Sequence, residues 1–181
     1  MLKEADELIK SISHESDRGC ILVVAALVEN VLKDYIKARL VFGQKKDDEL
    51  FDGGNAPLGN LSAKIDMAFR LGLIQADEKS QLHLMRKIRN DCAHDAENQT
   101  FSTESIQSRM QEIVALSKDG WDAFAQILAW RQGASSALPQ DKSEFISVVG
   151  WRVVFEFKFL TLYAYLREQV DSTERLHHRQ A

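Results

Sequence analysis

Proline, cysteine and excess positive charge are all scarce in this chain of 181 residues. Two prolines leave long stretches with no residue that breaks a helix. The two cysteines, Cys20 and Cys92, stand in neither a paired nor a metal-ligand spacing. That excludes a disulfide framework and suits a reducing compartment, where a buried thiol behaves as a small apolar side chain. A net charge of −4 argues against a broad basic face for duplex DNA, whose binding rests on neutralising phosphates, while leaving room for a small local patch. A long uninterrupted apolar run is missing too. The most apolar stretch, residues 145–166, contains Arg152, Glu156 and Lys158, and a charge at the centre of a bilayer costs about 2.5–3.5 kcal/mol. The first ten residues are acidic and amphipathic, without the basic start and apolar core of a signal peptide. These features predict a soluble, cytoplasmic protein with no membrane segment. Metal clusters, phosphate-binding glycine loops, dinucleotide fingerprints and serine-nucleophile elbows are also missing, so neither a metal nor a cofactor is expected.

What is present is helical periodicity. With 45% apolar and 28% charged residues the chain can bury a core, and its length predicts one domain over residues 1–171 followed by a flexible tail at 172–181 that carries His177 and His178. Ser16 is a candidate N-cap for a long helix opening at Asp17. Its apolar residues, from Ile21 and Val24 through Val28, Val31, Leu32, Tyr35 and Ile36 to Leu40, recur at gaps of three and four, and Gly43 is placed to end it. Residues 43–59 hold four of the nine glycines and one proline, an irregular segment of the length that is usually functional or mobile, with Leu50, Phe51 and Leu58 expected to pin it to the core. Helical spacing resumes at Leu61, Ile65, Ala68 and Phe69 and breaks near Gly72. A further helix starts around Asp77 and reaches at least Asp91. Another carries Ile106, Met110, Ile113, Val114 and Leu116 toward Trp121, Phe124, Ile127, Leu128 and Trp130, with a loop at 133–139. The last helix starts near Ser143 and passes Val170. Residues 155–159 alternate as a half-buried strand would. The run from 145 to 166 nevertheless holds no breaker but Gly150 and pairs Arg152 with Glu156 at i,i+4, which favours one continuous helix. The expected fold is all-α, a compact bundle of five to seven helices.

Three stretches resemble the mannitol operon repressor family: Glu15-Ser-Asp-Arg-Gly-Cys20; Leu50-Phe-Asp52 with Asn55-Ala-Pro-Leu-Gly-Asn-Leu-Ser-Ala-Lys-Ile-Asp66 and Ala68-Phe-Arg-Leu-Gly-Leu-Ile74; and Leu82-His-Leu-Met-Arg-Lys-Ile-Arg-Asn-Asp-Cys-Ala-His94. Their order and spacing span roughly residues 15–95, about half the chain. The resemblance implies an oligomeric helical bundle associated with negative regulation of mannitol uptake and utilisation genes. Neither that family nor this sequence shows a DNA-reading helix-turn-helix, so repression through a protein partner stays open. Arg89-Asn-Asp-Cys-Ala-His94 is also similar to the Arg-polar-x-x-x-His motif of HEPN domains, helical bundles that include metal-independent ribonucleases.

The candidate site is a polar cluster of Asp17, Arg18, Arg89, Asn90 and His94. In the catalytic reading, imidazole at His94 moves a proton near neutrality. Arg89 clamps phosphoryl oxygens bidentately and Asn90 orients one of them, so that an RNA 2′-hydroxyl attacks its own phosphate. Five residues on one helix is a rotation of about 140°, so Arg89 and His94 do not share a face, whereas Asn90 and His94 do. In the structural reading, Arg89 and Asn90 satisfy helix-end carbonyls and an acidic partner such as Asp17, and His94 packs through hydrogen bonds. Asp66 is placed to pair with Arg70 at i,i+4, and His83 reads as a satisfied half-buried histidine. Two functions remain. One is a non-enzymatic regulator, homo-oligomeric and acting through a protein partner as a transcriptional repressor. The other is a HEPN-like endoribonuclease of a toxin or antiviral system, with RNA as its partner. Direct duplex DNA binding ranks below both.

Overall fold

The computed structural model describes residues 2–42, 48–94, 99–117 and 141–178. Among these residues it shows seven helices and no strand: α1 (Leu2–Ile12), α2 (Asp17–Arg39), α3 (Leu61–Arg70), α4 (Ala76–His94), α5 (Glu104–Leu116), α6 (Lys142–Val149) and α7 (Trp151–Ser172). The all-α bundle anticipated from periodicity is the observed architecture. The expected helix through Trp121 to Trp130 and the loop at 133–139 lie outside the described residues.

Local chemistry explains most of the helix boundaries. The Ser16 side chain accepts from the Gly19 N–H at 3.1 Å and so caps α2. Asn60 caps α3 through the Ala63 N–H at 2.9 Å, and Asp141 caps α6 through the Ser143 and Glu144 N–H groups. The long C-terminal helix expected from 145 to 166 is two helices. Gly150, with φ at +82°, turns the chain between α6 and α7 while its N–H still closes on the Ile146 carbonyl at 2.8 Å. Only glycine takes such a φ without strain, so the one breaker in that run does break it. The alternating 155–159 segment lies inside α7 and is buried nearly all round, with Phe155 and Phe159 inaccessible and Phe157 only 6% exposed. A helix buried on every side carries no amphipathic stripe, which is why this segment mimics a strand.

α7 is the central element, flanked by α1, α2 and α5. It runs parallel to α2, since Arg152 at its start reaches Asp17 and the residues after its end reach Lys37 and Leu40. α4 runs antiparallel to α2 and α5. The core is continuous, from Cys20, Val24 and Val28 on α2 through Leu82, Met85 and Ile88 on α4 to Phe155, Phe159 and Leu166 on α7. Phe155 is the hinge of an aromatic row, with ring centroids 5.3 Å from Phe101 and 5.0 Å from Phe159. Each such buried side chain contributes about 1.5–3 kcal/mol.

One expectation about the irregular parts needs correction. Leu50 does not pin the segment before α3, being 43% exposed; Phe51 and Leu58 do so. Phe51 packs beneath the Lys33 and Lys37 ammonium groups, and Lys33 also holds Asp52 at 2.6 Å. Residues 173–178 return over the end of α2. The Leu176 N–H donates to the Arg39 carbonyl at 2.8 Å, Arg39 to the Glu174 carbonyl at 2.6 Å, and Arg175 to the Lys37 carbonyl at 2.9 Å and to the Leu40 carbonyl. α2 ends at Arg39, before Gly43, and its last carbonyls are satisfied by Arg175 instead of a glycine turn.

Candidate functional site

The five residues singled out in the sequence lie in two places, which Arg18 joins through the Cys92 carbonyl of α4. Asp17 and Arg18 sit where α1 ends and α2, α5 and α7 begin. Arg89, Asn90 and His94 lie along the last turns of α4.

The first group is organised by Arg152. Its Nε donates to Glu156 Oε1 at 2.8 Å, one NH to the Glu15 carbonyl at 2.8 Å and to Asp17 Oδ1 at 3.2 Å, and the other to the Ile12 carbonyl at 3.0 Å. One guanidinium thus caps the negative end of α1, pairs the carboxylate at the positive end of α2, and neutralises Glu156, which is 6% exposed. The second oxygen of Asp17 accepts the Phe101 N–H at 3.1 Å, drawing the segment before α5 onto the same point. The Cys20 thiol donates to Glu156 Oε1 at 3.5 Å. Burial, and then the charge of Glu156, push its pKa far above the ordinary thiol value. Arg152 and Asp17 tie the ends of four segments to one point, so this group works as a structural clasp.

Arg18 turns to α4, where its Nε donates to the Cys92 carbonyl at 2.8 Å. Arg18 thus satisfies a carbonyl in the last turn of α4, and the acidic group beside Arg89 is Glu29. Arg89 lies 3.7 Å from Glu29 Oε2, while Glu29 Oε1 is held by the buried Lys64 at 2.6 Å. Asp66 pairs with Lys79 at 2.9 Å and with His83 at 3.3 Å in place of Arg70. His83 is accordingly a hydrogen-bonded, half-buried histidine. On the opposite flank of α4, Asp91 pairs with Arg109 of α5.

His94 is the last residue of α4 and is exposed. It lies about 140° round the helix from Arg89. Asn90 is half-buried on the same side as His94. The clasp around Arg152, the Glu29–Lys64 pair and the Arg89 contact were not foreseen from sequence. The i,i+4 spacing of Arg152 and Glu156 inside an apolar helix was the available signal for the first of these.

Among the described residues, no three His, Cys, Asp or Glu side chains come together as a metal site, and no helix is long and apolar enough to cross a membrane. No family model and no curated protein matches the chain. Among solved structures it is similar to a chain of the X-ray structure of the MtlR–HPr complex from Escherichia coli, with 18% identity and a TM-score of 0.50, over 93% of this chain and 97% of that one. The likeness is one of fold and runs the length of both chains, matching the fold that the resemblance to mannitol operon repressors implies.

Proposed function

We propose that this chain is a non-enzymatic regulator that acts by docking a protein partner of the HPr type, as a homo-oligomer, with transcriptional repression as the downstream effect. The observation that carries this reading is the end-to-end match to a protein whose structure was solved in complex with HPr. The polar residues of this chain support the same reading, because Asp17, Arg18 and Arg152 are consumed in joining helices. With a net charge of −4 the isolated protein is not expected to bind an operator by itself.

The alternative, a HEPN-like ribonuclease, draws on Asn90 and His94 sharing one face of α4. It requires the long reach of Arg89 or a second copy to bring Arg89 and His94 together. Two assays on the pure protein separate the readings: co-elution with HPr from the same organism on size exclusion, and incubation with mixed RNA in chelator. Co-elution with intact RNA supports the regulator. Chelator-resistant cleavage that disappears in His94→Ala supports the ribonuclease.

A further inference from the structure

Several lysines of this fold are held by carboxylates. Lys33 pairs with Asp52 at 2.6 Å, Lys64 with Glu29 at 2.6 Å and Lys79 with Asp66 at 2.9 Å. Lys158 is different. It sits half-buried at the middle of α7, in sequence between Phe157, 6% exposed, and the inaccessible Phe159. Among the described residues no carboxylate comes within ion-pair distance of it, and no acceptor takes its protons. The acids that act on it, Asp77 and Glu78 in the first turn of α4, do so from further away. Glu78 is itself engaged, accepting the Gln75 N–H at 2.7 Å. A half-buried ammonium without a counter-charge carries a desolvation cost that no close contact returns.

We propose that Lys158 is a modification site, taking an acyl group from a small activated donor of the acyl phosphate class. Two physical arguments meet at this side chain. The first concerns the product. An amide at Nζ is neutral, so acylation removes the uncompensated charge from α7. At Lys64 the same reaction would strand the Glu29 carboxylate. The second concerns the nucleophile, which is the neutral amine, and a desolvated lysine presents that form more readily. Burial outweighs the distant Asp77 and Glu78 charges and holds the Lys158 pKa below its ordinary value. In the reaction the amine lone pair forms a C–N bond to the acyl carbon. The acyl C–O bond breaks, inorganic phosphate leaves, and the amine proton passes to solvent. The side chain keeps partial contact with solvent, which a small donor needs. The proposal stands apart from the HPr reading and is tested without HPr.

The test treats the full chain with acetyl phosphate at pH 8 and follows each lysine by mass spectrometry of the digest. Lys87, exposed on α4, is the internal reference for a solvated lysine. Lys158 is expected to be acetylated about threefold faster than Lys87, or more. Two variants then read the charge alone. Lys158→Gln, neutral like the acylated side chain, is expected to melt about 2–4 °C above Lys158→Arg, which keeps the charge. Both results together support the site. Acetylation of Lys158 no faster than of Lys87, or a Lys158→Gln protein that melts no higher than Lys158→Arg, would overturn the proposal.

Discussion

The Arg152 guanidinium bonds Asp17 at 3.2 Å across 135 positions of sequence, and through that contact the first turns of α2 and α7 are locked together. The same group covers Glu156, whose side chain is 8% exposed. Arg152→Met strands that carboxylate and is expected to cost about 2–3 kcal/mol, less than for a wholly buried pair because Arg152 itself keeps 27% exposure. Urea unfolding measures the loss, and adding Glu156→Gln to the same protein should recover part of it. A single variant as stable as wild type would show that the clasp is dispensable.

Glu29 and Arg89 should differ in their effects on stability. Lys64 is 5% exposed, so Glu29→Gln leaves a buried ammonium without its carboxylate and costs about 2–4 kcal/mol. Arg89→Ala removes a longer, half-exposed contact, with a cost of about 1 kcal/mol or less. Denaturant unfolding that ranks the two in the reverse order would contradict this account of the α2–α4 boundary.

Both thiols are buried. Burial, and then the Asp91 charge, raise the Cys92 pKa from 9.0 to about 11, and Cys20 is raised further. A folded pKa above the unfolded one contributes stability that is complete below the unfolded value and is lost as pH rises through the folded value. The unfolding free energy should therefore fall between about pH 9 and pH 11, less steeply in Cys92→Ala. At pH 8 a thiol reagent should label neither cysteine faster than the protein unfolds, and rapid native labelling would count against this burial.

Arg175 caps α2 from beyond the end of α7, and its guanidinium stacks 3.6 Å from the Phe42 ring centroid. Arg175→Ala is expected to lower stability by about 1–2 kcal/mol through the freed carbonyls and the lost stacking. Truncation after Ser172 should cost at least as much. Thermal melts unchanged by both alterations would mean that the returning segment holds nothing.

Much of this architecture could be read in the chain because helix signals are local. Ser16 before Asp17 and the three–four spacing up to Leu40 placed α2 within a residue or two at each end. What could not be read was set by partners distant in sequence. Nothing local shows that Asp17 meets Arg152 and Phe101 and not Arg89, or that Arg18 takes the Cys92 carbonyl. The cap on the end of α2 was not legible for the same reason, since Arg175 donates it. Gly150 was underweighted because the residues around it are apolar on all sides, and such a run gives no change of period at a break. The separation of Arg89 from His94 followed directly from helix geometry, and the observed α4 keeps it.

Calorimetric titration of the full chain with HPr from its own organism tests the central claim most directly. The account predicts saturable binding that survives His94→Ala, with RNA left intact by the same preparation. Absence of any binding heat, together with chelator-resistant RNA cleavage lost in folded His94→Ala, would contradict it.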